Sequence, residues 1–241
     1  MSGHSKWNNI KHKKEKADAA KAKIFTKIGK EMAVAIKAGG PDPNSNARLR
    51  DLIAKAKANN VPNENIQRTI KKFIDSSDIN YEEISYEGYG PSGVAIIVET
   101  STDNRNRTAG NVRAWFNKYG GNLGQNGCVS YLFEEKGVIT IVDEDEEIDE
   151  DKIMEDALEC GAEDIRCDEG EYTIYTAVED FDTVRDAIVD LGYKLDTADI
   201  AKVPSTYVDL DNPDDIENME KMLEKFNEDD DVNAVYHNWN A

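Results

Sequence analysis

Histidine and cysteine are scarce in this 241-residue chain, which contains three of each. The spacings of the cysteines fit neither a disulfide framework nor a CxxC zinc site, and their number is odd: Cys128, Cys160 and Cys167. The histidines form no HxxxH or HExxH pair: His4, His12 and His237. We therefore expect reduced thiols, no metal site and little material for a general base.

Long apolar runs are also missing. No stretch approaches the roughly 20 residues that a membrane span needs, and the polar, basic start does not have the pattern of a signal peptide. The sequence predicts a cytoplasmic protein with no membrane partner.

Catalytic motifs are absent as well, since nothing resembles a Ser-His-Asp or Cys-His arrangement. Residues 88–93 match GxGxxG literally, but the apolar residues from Val94 onward favour a strand instead of the helix that a dinucleotide site requires. We interpret 88–93 as a turn between two strands. The sequence predicts a protein that is not an enzyme, with no catalytic residue, no cofactor and no small-molecule substrate.

Charge is distributed very unevenly along the chain. The formal net charge is -20, yet residues 1–74 have 17 Lys and Arg against 6 Asp and Glu, whereas residues 75–241 have 12 against 43. A basic end on an otherwise acidic chain is typical of proteins that bind nucleic acid.

The basic end begins with a predicted arm over residues 1–17, followed by three amphipathic helices. The first starts at Asp18 and ends at Gly39-Gly40-Pro41, the second runs from about Ser45 to Ala58, and the third starts near Asn63. Apolar residues at helical spacing predict that the three helices form a small bundle.

The acidic part predicts two α/β domains. Residues 138–203 give the order βαββαβ of the ferredoxin-like fold. Strands at 94–100, 129–134, 206–210 and 232–237, with helices at 108–119 and 213–226, suggest a second such unit around the first. The predicted fold class is α+β: a basic three-helix domain (1–78), a discontinuous ferredoxin-like domain (79–136 plus 204–241) and an inserted one (137–203).

Phosphate is the abundant partner that such a density of lysine favours, because neutralised phosphates release counterions. Only three of the first 74 residues are arginine, so we expect backbone contacts with weak sequence preference. Trp7 and His12 are candidates for stacking on unpaired bases. The predicted nucleic-acid-binding lysines are Lys6, Lys11, Lys13, Lys14, Lys16, Lys21, Lys23, Lys27 and Lys30.

Two further segments leave alternatives open. The glycines between Gly120 and Gly127 favour a helix end followed by a strand lead-in, with a loop that approaches phosphate as the alternative. The acidic run at 143–151 favours a solvated loop before a helix. Alternatively, the acidic domains repel nucleic acid and orient the basic end, or they serve as a protein-interaction adaptor.

The sequence also resembles the YebC family over essentially its whole length. The resemblance rests on GHSKW at residues 3–7, IKHKK at 10–14, KIF at 23–25, GGPDP at 39–43, NVR at 111–113, KYGGNLG at 118–124 and YHN at 236–238. Cys128 departs from the family pattern, which usually has serine there.

The resemblance implies a three-domain α/β protein described as a probable transcriptional regulator that binds DNA. It also implies kinship with mitochondrial translational activators of cytochrome oxidase and with bacterial proteins connected to relief of ribosome stalling. DNA binding is the leading expectation, and a ribosome-associated translation factor that binds ribosomal RNA is the alternative.

Overall fold

The computed structural model describes residues 17–75, 80–143, 148–168 and 170–240, with side chains in the first helix described from Lys23 onward. Two compact units are present. The residues up to Ser130 and Val208–Trp239 form one unit, and Tyr131–Tyr207 form the other. No helix in these described ranges is long and apolar enough to cross a membrane.

The first unit begins with a bundle of three helices: α1 (Ala17–Gly39), α2 (Ala47–Ala58) and α3 (Asn63–Asp75). Its core is built from apolar residues at helical spacing, including Met32, Leu49 and Ile66, which are fully buried. Asn46 joins the first two helices because its Oδ1 accepts from Leu49 N at 3.1 Å while its Nδ2 donates to Ala35 O at 2.8 Å. This buried side chain begins α2 and also satisfies a carbonyl near the end of α1.

A four-stranded antiparallel sheet completes this unit. Its elements are β1 (Glu82–Tyr89), β2 (Ala95–Thr102), α4 (Arg105–Lys118), β3 (Asn122–Leu123), α7 (Pro213–Glu228) and β8 (Val232–His237), and the strand order is β3-β1-β2-β8. Phe116 on α4 and Phe226 on α7 are fully buried and lie 5.3 Å apart between ring centroids. The two helices therefore share one apolar core.

The second unit has the same composition of elements. It contains β4 (Phe133–Val142), α5 (Glu150–Glu159), β5 (Asp164–Asp168), β6 (Glu171–Thr176), α6 (Phe181–Asp190) and β7 (Thr197–Pro204), in the strand order β5-β6-β4-β7. Ile139 and Ile174 on the central strands pack with Ile153 on α5 and Ile188 on α6. This is the ferredoxin-like arrangement.

The predicted α+β fold class is confirmed, but two predicted strands are wrong. Residues 130–132 form a 3-10 turn, and Phe133 begins β4, where it pairs with Pro204 in the second unit's sheet. Around Val208 there is only an isolated bridge to Trp239. In the first unit's sheet, the two positions on the side of β2 opposite β8 that a ferredoxin-like arrangement would give to these strands are occupied by β1 and β3. The division into three domains at 78/79, 136/137 and 203/204 stays a prediction.

The turn predicted at residues 88–93 is confirmed. Pro91–Gly93 form a 3-10 turn between β1 and β2, and Gly90 N donates to Val94 O at 2.7 Å. No helix follows, so the literal GxGxxG match has no phosphate-binding context.

Candidate nucleic-acid interface

Most of the predicted nucleic-acid-binding residues lie outside the described part of the chain. This applies to Lys6, Trp7, Lys11, His12, Lys13, Lys14 and Lys16, while Lys21 lies on α1 without a described side chain. Their role stays a prediction. Lys23, Lys27 and Lys30 are described, and all three lie on α1.

These three lysines face the C-terminal end of α7 and form what we call the lysine seam. Lys23 Nζ donates to Glu228 O at 3.1 Å, and Lys27 Nζ donates to Asn227 O at 3.0 Å. Lys30 Nζ donates to Asp230 O at 2.8 Å and pairs with Asp231 Oδ1 at 2.6 Å.

The spacing of the seam explains its geometry. Residues at i, i+4 and i+7 share one face of a helix, and the last carbonyls of a helix carry partial negative charge and lack partners within it. The ammonium groups of Lys23 and Lys27 therefore cap α7, and Lys30 joins α1 to the segment that follows α7. A phosphate that binds the seam has to compete with these internal acceptors.

Asp231 is the centre of this contact, and it is 4% exposed. Its carboxylate accepts from Lys30 Nζ, from Arg107 Nη2 at 2.7 Å and from Thr108 Oγ1 at 2.8 Å. Burial on its own raises the pKa of Asp231, but the hydrogen bonds from these three donors outweigh burial and lower the pKa to about 2. The group is therefore a charged, structural carboxylate at neutral pH.

A second set of basic residues stays exposed on the bundle. It lies outside the buried positions of α2 and α3 and consists of the exposed Arg50, Lys57, Arg68, Lys71 and Lys72, which we call the basic face. Arg68 makes an exposed ion pair with Glu64 at 3.3 Å, and Lys72 lies 5.8 Å from the centroid of the Phe73 ring. Such contacts are weak and leave the charges accessible.

The sequence prediction did not include the basic face, because it followed the density of lysine on the arm and the first helix. The helical spacing of buried residues such as Leu52 and Ile70 was sufficient to find it, since cations between those positions have to point outward. Lysine density alone did not separate exposed cations from those of the seam.

The glycine-rich loop after α4 is organised by a buried carboxylate. Gly120 has a φ of +78° and lies past the end of α4, where Gly121 N donates to Phe116 O at 2.8 Å. Glu87, 6% exposed, accepts from Gly127 N at 2.8 Å, Val129 N at 2.9 Å and Ser130 N at 2.8 Å. The predicted helix end is confirmed, whereas the strand at 129–134 into which the glycines were expected to lead is replaced by a 3-10 turn at Ser130–Leu132.

The same contacts bear on the alternative that this loop approaches phosphate. Burial on its own raises the pKa of Glu87, but the three backbone N–H donors outweigh burial and lower it. Three amides that could hold an external anion are thus occupied by an internal one. Burial, and to a smaller extent the nearby Glu87 carboxylate, raises the pKa of the Cys128 thiol. None of the three cysteines forms a disulfide.

The described ends of the acidic run are organised around the start of α5. Asp149 caps this helix by accepting from Lys152 N at 3.1 Å, and Asp143 Oδ2 accepts from Ile148 N at 2.7 Å. Glu150 and Asp151 lie in the first turn, where the helix dipole favours negative charge.

A basic three-helix bundle followed by two four-stranded antiparallel sheet units, one inserted in the other, defines a specific class of α+β protein. Family models match both parts of the chain: "TACO1/YebC protein N-terminal domain" over residues 5–75 and "TACO1/YebC second and third domain" over residues 81–239. The chain belongs to the TACO1/YebC family.

Relatives of similar length support this assignment. The chain is 54% identical to a protein of Acetivibrio thermocellus and 55% identical to one of Agathobacter rectalis, with 99% of each chain covered in both cases. Both relatives are named "Probable transcriptional regulatory protein". Among solved structures, a conserved hypothetical protein of Aquifex aeolicus is 44% identical, with a TM-score of 0.85 over 98% of this chain and 96% of that one. The names support a regulatory role for the family.

Proposed function

We propose that this protein is a non-enzymatic regulator of gene expression that binds nucleic acid through its basic N-terminal segment and helical bundle. The observation that carries the proposal is the charge asymmetry: 17 cationic against 6 acidic residues up to residue 74, in a chain of net charge -20. The exposed basic face on α2 and α3 supports it, because these cations have no strong partner among the described residues. The name of the relatives agrees with a regulatory role.

Contacts with the sugar–phosphate backbone fit this surface better than base readout. Lysine is a compact point charge, whereas the planar guanidinium of arginine is better suited to bidentate recognition of guanine. Arg50 and Arg68 are the two arginines of the basic face, and they lie on different helices. The bundle therefore supplies affinity for phosphate more readily than recognition of a base sequence.

In the first form of the proposal, the protein regulates transcription, as in the relatives' name, and the nucleic acid is DNA. The scarcity of base-reading arginines favours the alternative, in which a ribosome-associated translation factor binds ribosomal RNA and relieves stalled translation. In that case specificity comes from the shape of a structured site instead of from a base sequence. In both forms the protein works in the cytoplasm without a cofactor.

Cross-linking in cells, with sequencing of the bound nucleic acid and sedimentation with ribosomes, separates the two forms. We expect the bound fraction to be dominated by one source. Promoter DNA without ribosome association contradicts the translation form, and ribosomal RNA with co-sedimentation contradicts the promoter form.

A charge-reversal variant tests the assignment of the arm itself. Replacing Lys11, Lys13 and Lys14 with glutamate removes cations that the proposal places on phosphate, so affinity and its salt dependence should both fall. The matched control reverses three exposed lysines elsewhere, Lys152, Lys194 and Lys221. An arm variant that binds with an unchanged salt slope contradicts the assignment.

A further inference from the structure

Helix α4 is an exception in the acidic part of the chain. Its sequence, RNRTAGNVRAWFNK, holds four cationic residues and no acidic residue. These are four of the twelve cationic residues between 75 and 241, where 43 residues are acidic. A short helix with this composition produces a local positive surface in a negative field.

The outward row of α4 consists of Asn106, Gly110, Arg113 and Asn117. These positions follow helical spacing on the side opposite the buried Thr108, Val112 and Phe116, and all four are exposed. Within the described part of the chain, Arg113 has no ion-pair or hydrogen-bond partner. Arg107, in contrast, is paired with Asp231 and Asp103. The row therefore presents a guanidinium and two amides to solvent.

Nothing in the part of the chain that the structure describes requires a glycine at position 110. It is not in the positive-φ region, and a Cβ built on it meets nothing within 4 Å. Glycine inside a helix weakens it relative to alanine, so an exposed glycine without a packing role points to close approach by something outside the chain. Gly88 shows the contrast, because a Cβ there lies 2.5 Å from Asn122 O.

The surroundings of α4 restrict how a polyanion can lie on it. On one side is α7, which holds six carboxylates and two lysines, and those lysines pair with Glu217 and Glu228. On the other side α4 contacts β1 and β3, and the loop after β3 exposes the uncharged Gln125 and Asn126. A duplex that straddles α4 brings one phosphate strand next to α7, whereas a single strand on the β3 side avoids it.

We propose that the outward row of α4 binds the ribose–phosphate backbone of a single RNA strand, with Arg113 on a phosphate and Gly110 allowing the strand to touch the helix backbone. Amide side chains both donate and accept, which suits the 2′-hydroxyl that DNA lacks. This inference rests on the proposed function, since it assumes that the protein binds nucleic acid, but it assigns a surface separate from the arm and the bundle.

Two variants test the proposal with the full chain. Arg113→Gln should weaken binding about tenfold at low salt and lower the salt slope by about 0.7, the value for one contact on a single strand. Gly110→Ala should raise the temperature of thermal unfolding and yet weaken RNA binding. A variant that is more stable and binds less well cannot be explained by damage to the fold.

The measurement is fluorescence anisotropy with an unstructured RNA strand and a DNA strand of the same sequence, with Lys152→Gln as the control for removal of an exposed cation. Unchanged RNA affinity in both variants overturns the α4 assignment, while the arm variant still tests the proposed function separately. Equal losses for RNA and DNA overturn the choice of ribose. If the native protein binds neither strand, this inference fails, while the proposed function is still decided by the cross-linking experiment and the arm variant.

Discussion

Lys30 and Asp231 form an ion pair of 2.6 Å in which the lysine side chain is 12% exposed and the aspartate side chain 5%. The pair joins the first helix of the bundle to the segment between α7 and β8, 201 residues along the chain. Because Arg107 and Thr108 donate to the same carboxylate, Asp231 neutralises two cations from separate elements. Within this unit, the Asp231 carboxylate thus links the helical bundle to α4 through ion pairs.

Replacing Asp231 with asparagine should therefore destabilise the protein strongly. The change leaves Lys30 nearly buried without an anion, and loss of one partner from a buried pair costs about 3–5 kcal/mol. Urea unfolding measures the loss. The matched control is Asp230→Asn, because Asp230 is exposed and uses only its backbone carbonyl to accept from Lys30. A similar loss in both variants contradicts the role of the Asp231 side chain.

The same carboxylate predicts a dependence of stability on acid. The folded pKa of about 2 lies below the ordinary value of 3.8, so the unfolded chain binds the proton first as pH falls. The stabilisation is complete above pH 3.8 and is lost as pH falls towards 2, amounting to about 2 kcal/mol. Unfolding free energy measured across this range should fall more steeply for the native protein than for Asp231→Asn. Parallel curves for the two proteins contradict the prediction.

The fold was largely predictable from sequence because its helices and central strands carry strong periodic patterns. The helical spacing of Leu49, Leu52, Ile53 and Ala56 places them on one face of α2, and all four are buried. The strand at 129–134 failed for a specific reason. Alternation of Val129, Tyr131 and Phe133 suggested a strand, but two of the amides there are taken by Glu87, more than 40 residues earlier. A contact at such separation has no local pattern.

The candidate site was less predictable than the fold. Composition identified the basic end, and lysines at i, i+4 and i+7 showed which residues share a face of α1. Whether that face meets phosphate or the end of α7 depends on where a segment 200 residues later is packed. Helical spacing shows which charged residues share a face, but it does not show which of them are paired with residues distant in sequence.

The Glu87 carboxylate offers a test of how the glycine loop is held. Glu87→Gln keeps the shape but replaces a charged acceptor by an amide whose nitrogen cannot accept from Gly127, Val129 or Ser130, at a cost of about 1–3 kcal/mol. Amide hydrogen exchange at these residues should accelerate. The Cys128 thiol should also react faster at neutral pH, because the carboxylate raises its pKa. Glu82→Gln, at an exposed position on the same strand, serves as the control.

Variants of Lys71 and Lys27 should show that the basic face contributes to binding and the lysine seam to stability. Lys71 is exposed on α3, so Lys71→Gln should change the unfolding free energy by less than about 0.5 kcal/mol while lowering the salt slope of DNA binding by about 0.9. Lys27→Gln should instead cost about 1 kcal/mol of stability, because its ammonium donates to Asn227 O. Urea unfolding and salt titrations of affinity give both quantities. An unchanged slope in Lys71→Gln removes α3 from the interface.

Gly88 should tolerate no side chain, because it lies where β1 meets β3 and α4. A Cβ at this position falls 2.5 Å from Asn122 O, 2.9 Å from Phe116 Cε1 and 3.1 Å from Leu123 Cα. Two of these neighbours are backbone atoms of the paired strand, so they cannot rotate away, and Gly88→Ala should cost about 1–3 kcal/mol through overpacking. Gly110→Ala, measured alongside by urea unfolding, should change stability in the opposite direction, because open space surrounds it. Stabilisation by Gly88→Ala means that β3 does not pair closely with β1 in solution.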